Sequence, residues 1–187
     1  MTQSKLFSMK NLFYLFLLLI PCTLNAQITE FGSFKILESE VLYQKVFNQD
    51  AITVEKMVEF LKTVPTIGNI QTGTETVTAD LIFLKVDYKK FKVPQVDVPI
   101  IIQTGIFNGK LSFDIKSGKY RATLRSIQMK GDIASKKIAE PELITRYSTI
   151  DNGTALSKDW AIPTLLGLLE RQITERLTYK EVNADWK

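Results

Sequence analysis

The sequence predicts an α+β fold: an antiparallel sheet of about five to six strands in the order β-α-β(4–5)-α, with a long C-terminal helix packed on one face. Three observations predict it. Apolar residues recur at helical spacing in residues 54–64 and again in residues 159–180, and at strand spacing through most of residues 70–129. The chain of 187 residues is 45% hydrophobic and 24% charged, the proportions of a globular protein.

The first 26 residues read as a secretory signal peptide, leaving residues 27–187 as a single domain. Lys5 and Lys10 precede an apolar run from Leu12 to Ile20, Pro21 breaks it, and Leu24-Asn25-Ala26 offers a small residue at the cleavage position. Spanning a membrane needs about 20 apolar residues, and this run is half that. Cys22 raises the possibility of a lipoprotein, but Pro21 stands where such proteins carry Gly, Ala or Ser. Cleavage after Ala26 removes the one cysteine and with it disulfide and thiol chemistry. The chain has no histidine, which excludes Ser-His-Asp and Cys-His catalysis and His-ligated zinc.

Glu38 to Phe47 reads as the first strand. Val54, Met57, Val58, Leu61 and Val64 then fall on one helical face, with Asp50 or Thr53 as cap and Pro65 and Gly68 as stops. Thr76 to Tyr88 is a β-branched and aromatic run. Asn108-Gly109 between apolar runs is a strong short hairpin signal, and Ser117-Gly118 marks a second two-residue turn.

With both turns tight, Ile106 faces Leu111, Thr104 faces Phe113 and Ile102 faces Ile115 in the first hairpin. In the second, Ile115 faces Tyr120, Phe113 faces Ala122, Leu111 faces Leu124 and Asp114 faces Arg121. Apolar side chains from Ile100 to Leu124 then share one face. Gln103, Ser112, Asp114, Lys116, Arg121, Thr123 and Arg125 share the other, so one side of the sheet is covered and one is wet. The cover is the stripe Ile162, Leu165, Leu166, Leu169, Ile173 and Leu177, a helix from about Asp159 to Lys180 and roughly 33 Å long. Residues 132–156 carry loop signals around a short element near Leu143 to Tyr147.

The order of elements resembles the TATA-binding-protein-like, or helix-grip, class. More narrowly, Val41-Leu42-Tyr43-Gln44-Lys45-Val46-Phe47 and Lys116-Ser117-Gly118-Lys119-Tyr120-Arg121 leading into Ala122-Thr123-Leu124 resemble a family of exported bacterial proteins known only as a domain of unknown function with a TBP-like fold. The resemblance implies a fold and an exported location, and no catalytic residues.

Charge is unevenly spread. Residues 85–130 hold ten Lys or Arg against three Asp, whereas residues 27–84 hold four against eight acids. Lys110, Lys116, Lys119, Arg121 and Arg125 fall on the wet face or at its turns, with Lys89, Lys90 and Lys92 near in sequence. Of these, Lys116, Arg121 and Arg125 form a candidate anionic-ligand face, weighed against an ordinary solvated surface with Asp114 paired to Arg121. The carboxylates Asp80, Asp87, Asp97, Asp114, Glu140 and Glu142 show no spacing that singles out a glycosidase pair. Asp151-Asn152-Gly153-Thr154 lacks the alternating acids of a calcium loop and reads as a turn. Tyr43, Tyr88, Phe91, Trp160 and Trp186 read as core or tail before they read as a sugar platform. No catalytic, metal or cofactor-binding residue is assigned, and no cofactor is implied.

The expected function is that of a non-catalytic binding or structural protein of the periplasm or cell envelope, or of the exterior. Its expected partner is an anionic envelope component or a protein, not a nucleic acid, with no transmembrane segment after signal cleavage. Two alternatives stay open. One is a small envelope-glycan hydrolase or lyase using carboxylates; the other is a carrier holding an apolar ligand between the sheet and the C-terminal helix.

Overall fold

A computed structural model describes residues 27–134 and 136–181; the leader, Cys22 and Trp186 lie outside them. The chain runs β1 (Glu30–Phe31), β2 (Phe34–Leu37), β3 (Glu40–Asn48), α1 (Val54–Lys62), β4 (Ile67–Thr72), β5 (Thr76–Leu84), α2 (Ile100–Thr104), β6 (Ile106–Lys116), β7 (Lys119–Ile133) and β8 (Lys136–Leu143). It ends with α3 (Thr145–Ser148), β9 (Thr149–Ile150), β10 (Ala155–Leu156) and α4 (Leu166–Leu177). Eight strands make one antiparallel sheet in the order β1-β2-β3-β7-β6-β5-β4, with β8 also paired to β7. This is the predicted class with more strands than the five to six expected. The additions are β1 and β2 at the start and β8 in the segment that reads as loops.

The β2–β3 connection went unseen because it has no glycine. Leu37 pairs with Glu40, and the two turn residues Glu38 and Ser39 both take positive φ, 53° and 61°. That is the backbone of a type I′ turn, written without the Asn or Gly that announces one.

The Asn108-Gly109 pair is the reverse case, a hairpin signal with no hairpin. Pro99 opens the short helix α2, so Ile100 to Thr104 is not a strand that could fold back. Asn108 and Gly109 lie inside the continuous strand β6. A Cβ on Gly109 would stand 2.7 Å from Leu124 Cδ1 and 2.9 Å from the Arg125 carbonyl oxygen, so glycine lets β7 approach closely here. Asn108 Oδ1 accepts the Phe83 N–H at 2.8 Å. The expected pairings of Ile106 with Leu111, Thr104 with Phe113 and Ile102 with Ile115 are therefore replaced. Phe107 rather than Ile106 enters the core, and Ile102 is buried from α2. The second hairpin has the expected register: Ile115↔Tyr120, Asp114↔Arg121, Phe113↔Ala122 and Leu111↔Leu124.

Helix α1 begins where predicted, with Thr53 Oγ1 accepting the Lys56 N–H, and Met57, Phe60 and Leu61 face the core. Helix α4 has 12 residues rather than 22. Pro163 supplies no N–H and pushes Ile162 away from helical backbone, so Ser157 to Leu165 folds into successive tight turns instead. At about 18 Å, α4 reaches part of the way across the sheet. Its buried residues Leu166, Leu169, Ile173 and Leu177 belong to the predicted stripe. The Tyr43 hydroxyl lies 3.0 Å from Thr174 Oγ1, and the Tyr120 hydroxyl donates to the Leu177 carbonyl at 2.7 Å. No helix among the described residues is long and apolar enough to cross a membrane.

Candidate functional site on the open sheet face

The face turned away from α4 is bent by bulges. Between paired positions, β4, β5 and β7 each carry one residue more than the neighbouring strand. Each extra segment contains a non-glycine residue at positive φ: Asn69 at 51°, Phe83 at 54° and Ser126 at 50°. The bulges at Phe83 and Ser126 flank Asn108–Gly109 from both sides. A bulge sharpens local twist and bends its strand, and two clefts of the open face lie along this part of the sheet.

Alternation decides which side chains line the face. Thr78, Ser112, Thr123 and Gln44 stand side by side across β5, β6, β7 and β3 in register, and Gln44 Nε2 donates to Thr123 Oγ1 at 3.0 Å. Beside this row, Asn69, Gln71, Asp80, Lys110 and Arg125 share with Thr78 and Ser112 an open cleft of about 560 Å³. Lys110 Nζ sits 2.8 Å from Asp80 Oδ1, and Asn69 Nδ2 donates to Asp80 Oδ2 at 2.8 Å. These two donors, Asn69 first, hold the Asp80 carboxyl below the ordinary carboxylate range.

Toward the Ser117-Gly118 turn the face becomes cationic. Lys116, Lys119 and Arg121 line a cleft of about 220 Å³ with Val46, Asp114 and Tyr120. Arg121 reaches Asp114 at 2.8 Å, as its register position predicts. Neither Lys116 nor Lys119 has an ion-pair partner among the described residues.

Toward the bulges the face becomes neutral. Asn108, Ser126 and Gln128 line a smaller cleft of about 170 Å³ that shares Asp80 and Lys110 with the central one.

Of the three candidate cations, Lys116 and Arg121 thus share a cleft, and Arg125 stands in the adjoining one. Arg125 is also committed elsewhere. Its Nη2 lies 2.8 Å from Glu40 Oε2 and 3.1 Å from Glu38 Oε2, and the hydrogen bonds it donates to Glu40 and then to Glu38 fix its positive charge. Lys110 and Lys119 lie on the open face or its turns as the sequence places them, whereas the pairing of Lys110 with Asp80 and the exposure of Phe83 are not legible there. The Thr76, Thr78, Asp80 alternation was the available signal for Asp80.

Asp114 is held by Arg121 of the neighbouring strand, and Glu142 by Arg146 of α3 at 2.8 Å with the Tyr147 hydroxyl donating at 2.7 Å. Asp87 Oδ1 accepts the Lys90 N–H, while the Lys90 ammonium pairs with Glu175 of α4. Lys90 therefore serves the α4 side rather than the cationic cleft. Asp151 to Gly153 forms a left-handed turn, with φ of 52°, 57° and 85°, closed by Thr154 Oγ1 on the Asp151 carbonyl. Trp160 is buried, and Phe91 lies under the Arg171 guanidinium at 4.4 Å. Beneath α4, Tyr43, Tyr120, Leu169, Ile173 and Leu177 fill the space with near-zero exposure.

No family model and no curated protein matches the chain. Among solved structures it is similar to a DUF4468 family protein from Bacteroides ovatus ATCC 8483, with 13% identity, 81% of this chain and 94% of that one covered, and a TM-score of 0.43. It is also similar to a TBP-like protein from Parabacteroides distasonis ATCC 8503, with 10% identity, coverage of 77% and 90%, and a TM-score of 0.42. A domain of unknown function and a TBP-like fold are the two descriptions to which the sequence resemblance points. Neither name carries a ligand or an activity.

Proposed function

We propose that the protein is an exported, non-catalytic binding protein of the periplasm or cell envelope that holds an anionic envelope component on the open face of its sheet. One observation carries the reading: Lys116, Lys119 and Arg121 converge on one cleft that contains a single carboxylate, Asp114. Asp114 fixes the Arg121 guanidinium at the cleft wall, and the two lysines flank the tight turn between β6 and β7. Three cations against one acid favour a carboxylate- or phosphate-bearing ligand. The leader pattern of residues 1–26 supports export.

Retention on an acidic polysaccharide or on isolated envelopes tests the reading. Binding is expected to weaken as salt rises, because exposed charges are screened beyond about 8 Å at physiological ionic strength. Replacing Lys116, Lys119 and Arg121 together by Gln is expected to abolish retention and leave the far-UV circular dichroism unchanged. Arg125 is left intact because Glu40 depends on it. Retention that ignores both salt and the triple substitution rejects the reading.

A further inference from the structure

Phe83, on the β5 bulge bonded to Asn108 of the neutral cleft, is an anomaly. It is 71% exposed, and its φ of 54° lies in the left-handed region, which aromatic residues rarely adopt. Burial does not explain it, because little of it is buried. The chain holds the conformation deliberately: Asn108 Oδ1 takes the Phe83 N–H where the ladder with β6 is interrupted. Asn69 and Ser126 take the same backbone region at their bulges, but Phe83 alone of the three presents an aromatic ring to solvent, where it is open to a contact from outside the fold.

What lies beside it narrows the ligand. Ile82, the preceding residue, lines the neutral cleft with Asp80, Asn108, Lys110, Ser126 and Gln128. Two side-chain amides, a hydroxyl and a carboxylate–ammonium pair offer donors and acceptors in close alternation, the pattern that matches adjacent hydroxyl groups. An exposed aromatic ring offers its electron-rich face to the C–H side of a pyranose. The strand backbones beneath are already paired, so an extended peptide would find no ladder to join, as it would at a sheet edge.

From Asn108 to Lys116 along β6 the face runs for about 27 Å, at ~3.4 Å per residue. The neutral cleft, the central cleft and the cationic cleft follow one another along it. We infer that Phe83 and the Asn108–Gln128 cleft form a saccharide subsite, which takes an uncharged stretch of a linear acidic glycan whose charged groups rest at Lys116, Lys119 and Arg121. The second half of that statement rests on the proposed function. The subsite itself does not.

The test is calorimetric titration of the full chain and its Phe83→Ala and Gln128→Ala variants with hyaluronan oligosaccharides of two and of six units, in which glucuronate alternates with uncharged N-acetylglucosamine, with cellohexaose, and with a polyglutamate peptide of matched charge. The six-unit acidic sugar is expected to bind more tightly than the two-unit one. Each substitution should remove about threefold to tenfold of that gain, the scale of one aromatic contact, and leave the two-unit sugar and the peptide unaffected. Phe83→Gly should lose the same affinity while raising the melting temperature, because it releases the left-handed backbone. A purely structural phenylalanine would move the two readouts together.

If no acidic probe binds, the cationic reading fails and the subsite is judged on cellohexaose alone. Cellohexaose binding weakened by Phe83→Ala supports it, and undetectable binding overturns it. Six-unit binding indifferent to Phe83→Ala, or peptide binding weakened as much as sugar binding, also overturns it.

Discussion

Glu40 clamps Arg125 at the point where β7 changes partner. Both Arg125 Nε and Nη2 reach Glu40 Oε2, at 2.9 and 2.8 Å, while Glu40 Oε1 accepts the Ser126 N–H. Up to Leu124, β7 pairs with β3; from Gln128 onward it pairs with β8. The residues between would leave a bulged backbone without a ladder, and a single carboxylate at the start of β3 supplies the missing acceptor. The same contact keeps Arg125 oriented over the central cleft, so the junction of the sheet and the wall of the candidate site are one construction.

Glu40→Gln is therefore expected to keep the fold, because an amide oxygen can still accept from Ser126. Glu40→Ala removes the acceptor altogether and should lower the melting temperature by more. Comparing both variants with wild type in thermal unfolding checks the order; equal losses would show that the ion pair, and not the Ser126 acceptor, secures the junction.

Phe113 and Ser112 are neighbours with opposite fates. Phe113 is fully buried between Val77 and Ala122, whereas Ser112 lies on the open face between Thr78 and Thr123. Phe113→Asp places an unpaired charge in the core and should cost about 4 kcal/mol or more, enough to unfold the protein. Ser112→Asp should stay within about 0.5 kcal/mol. Denaturant titration separates the two, and similar midpoints would contradict the one-sided sheet.

Legibility followed locality. The Ser117-Gly118 hairpin was readable because its turn lies between its own two strands, and Gly118 takes the positive φ, 75°, that its residue type advertises. The side on which Lys116 and Arg121 stand follows from the same alternation. Asn108-Gly109 misled because the pair serves neighbours far away in sequence: Phe83, whose N–H it accepts, and Leu124, for which Gly109 makes room. Nothing within a few residues of Asn108 announces either need. Arg125 looked free for a ligand, yet its partner Glu40 lies 85 residues earlier, and only the β3–β7 pairing brings them together. Phe83 was hidden differently. An aromatic in a β-branched run reads as strand interior, and one inserted residue turns it out to solvent.

The last prediction concerns alkaline stability and the Tyr120 hydroxyl. Burial pushes this phenol up to about 12, against an ordinary value of 10.0, and the Tyr179 N–H donating to it at 2.8 Å pulls weakly the other way. The folded protein thus holds the proton more tightly than the unfolded chain. The stability this contributes is complete below pH 10 and is lost as pH rises from about 10 to about 12. Tyr43 acts in the same direction, its phenol also raised by burial. Tyr120→Phe deletes the bond to the Leu177 carbonyl and leaves the Tyr179 N–H without its acceptor, at a cost of about 1–3 kcal/mol near neutral pH. It also deletes the titration. The difference in unfolding free energy between wild type and Tyr120→Phe should therefore be largest below pH 10 and shrink toward pH 12, where wild type loses what the variant never had. Chemical denaturation at pH 8, 10 and 12 measures it. A difference constant across that range would mean that the Tyr120 proton is not held by the packing of α4 on the sheet.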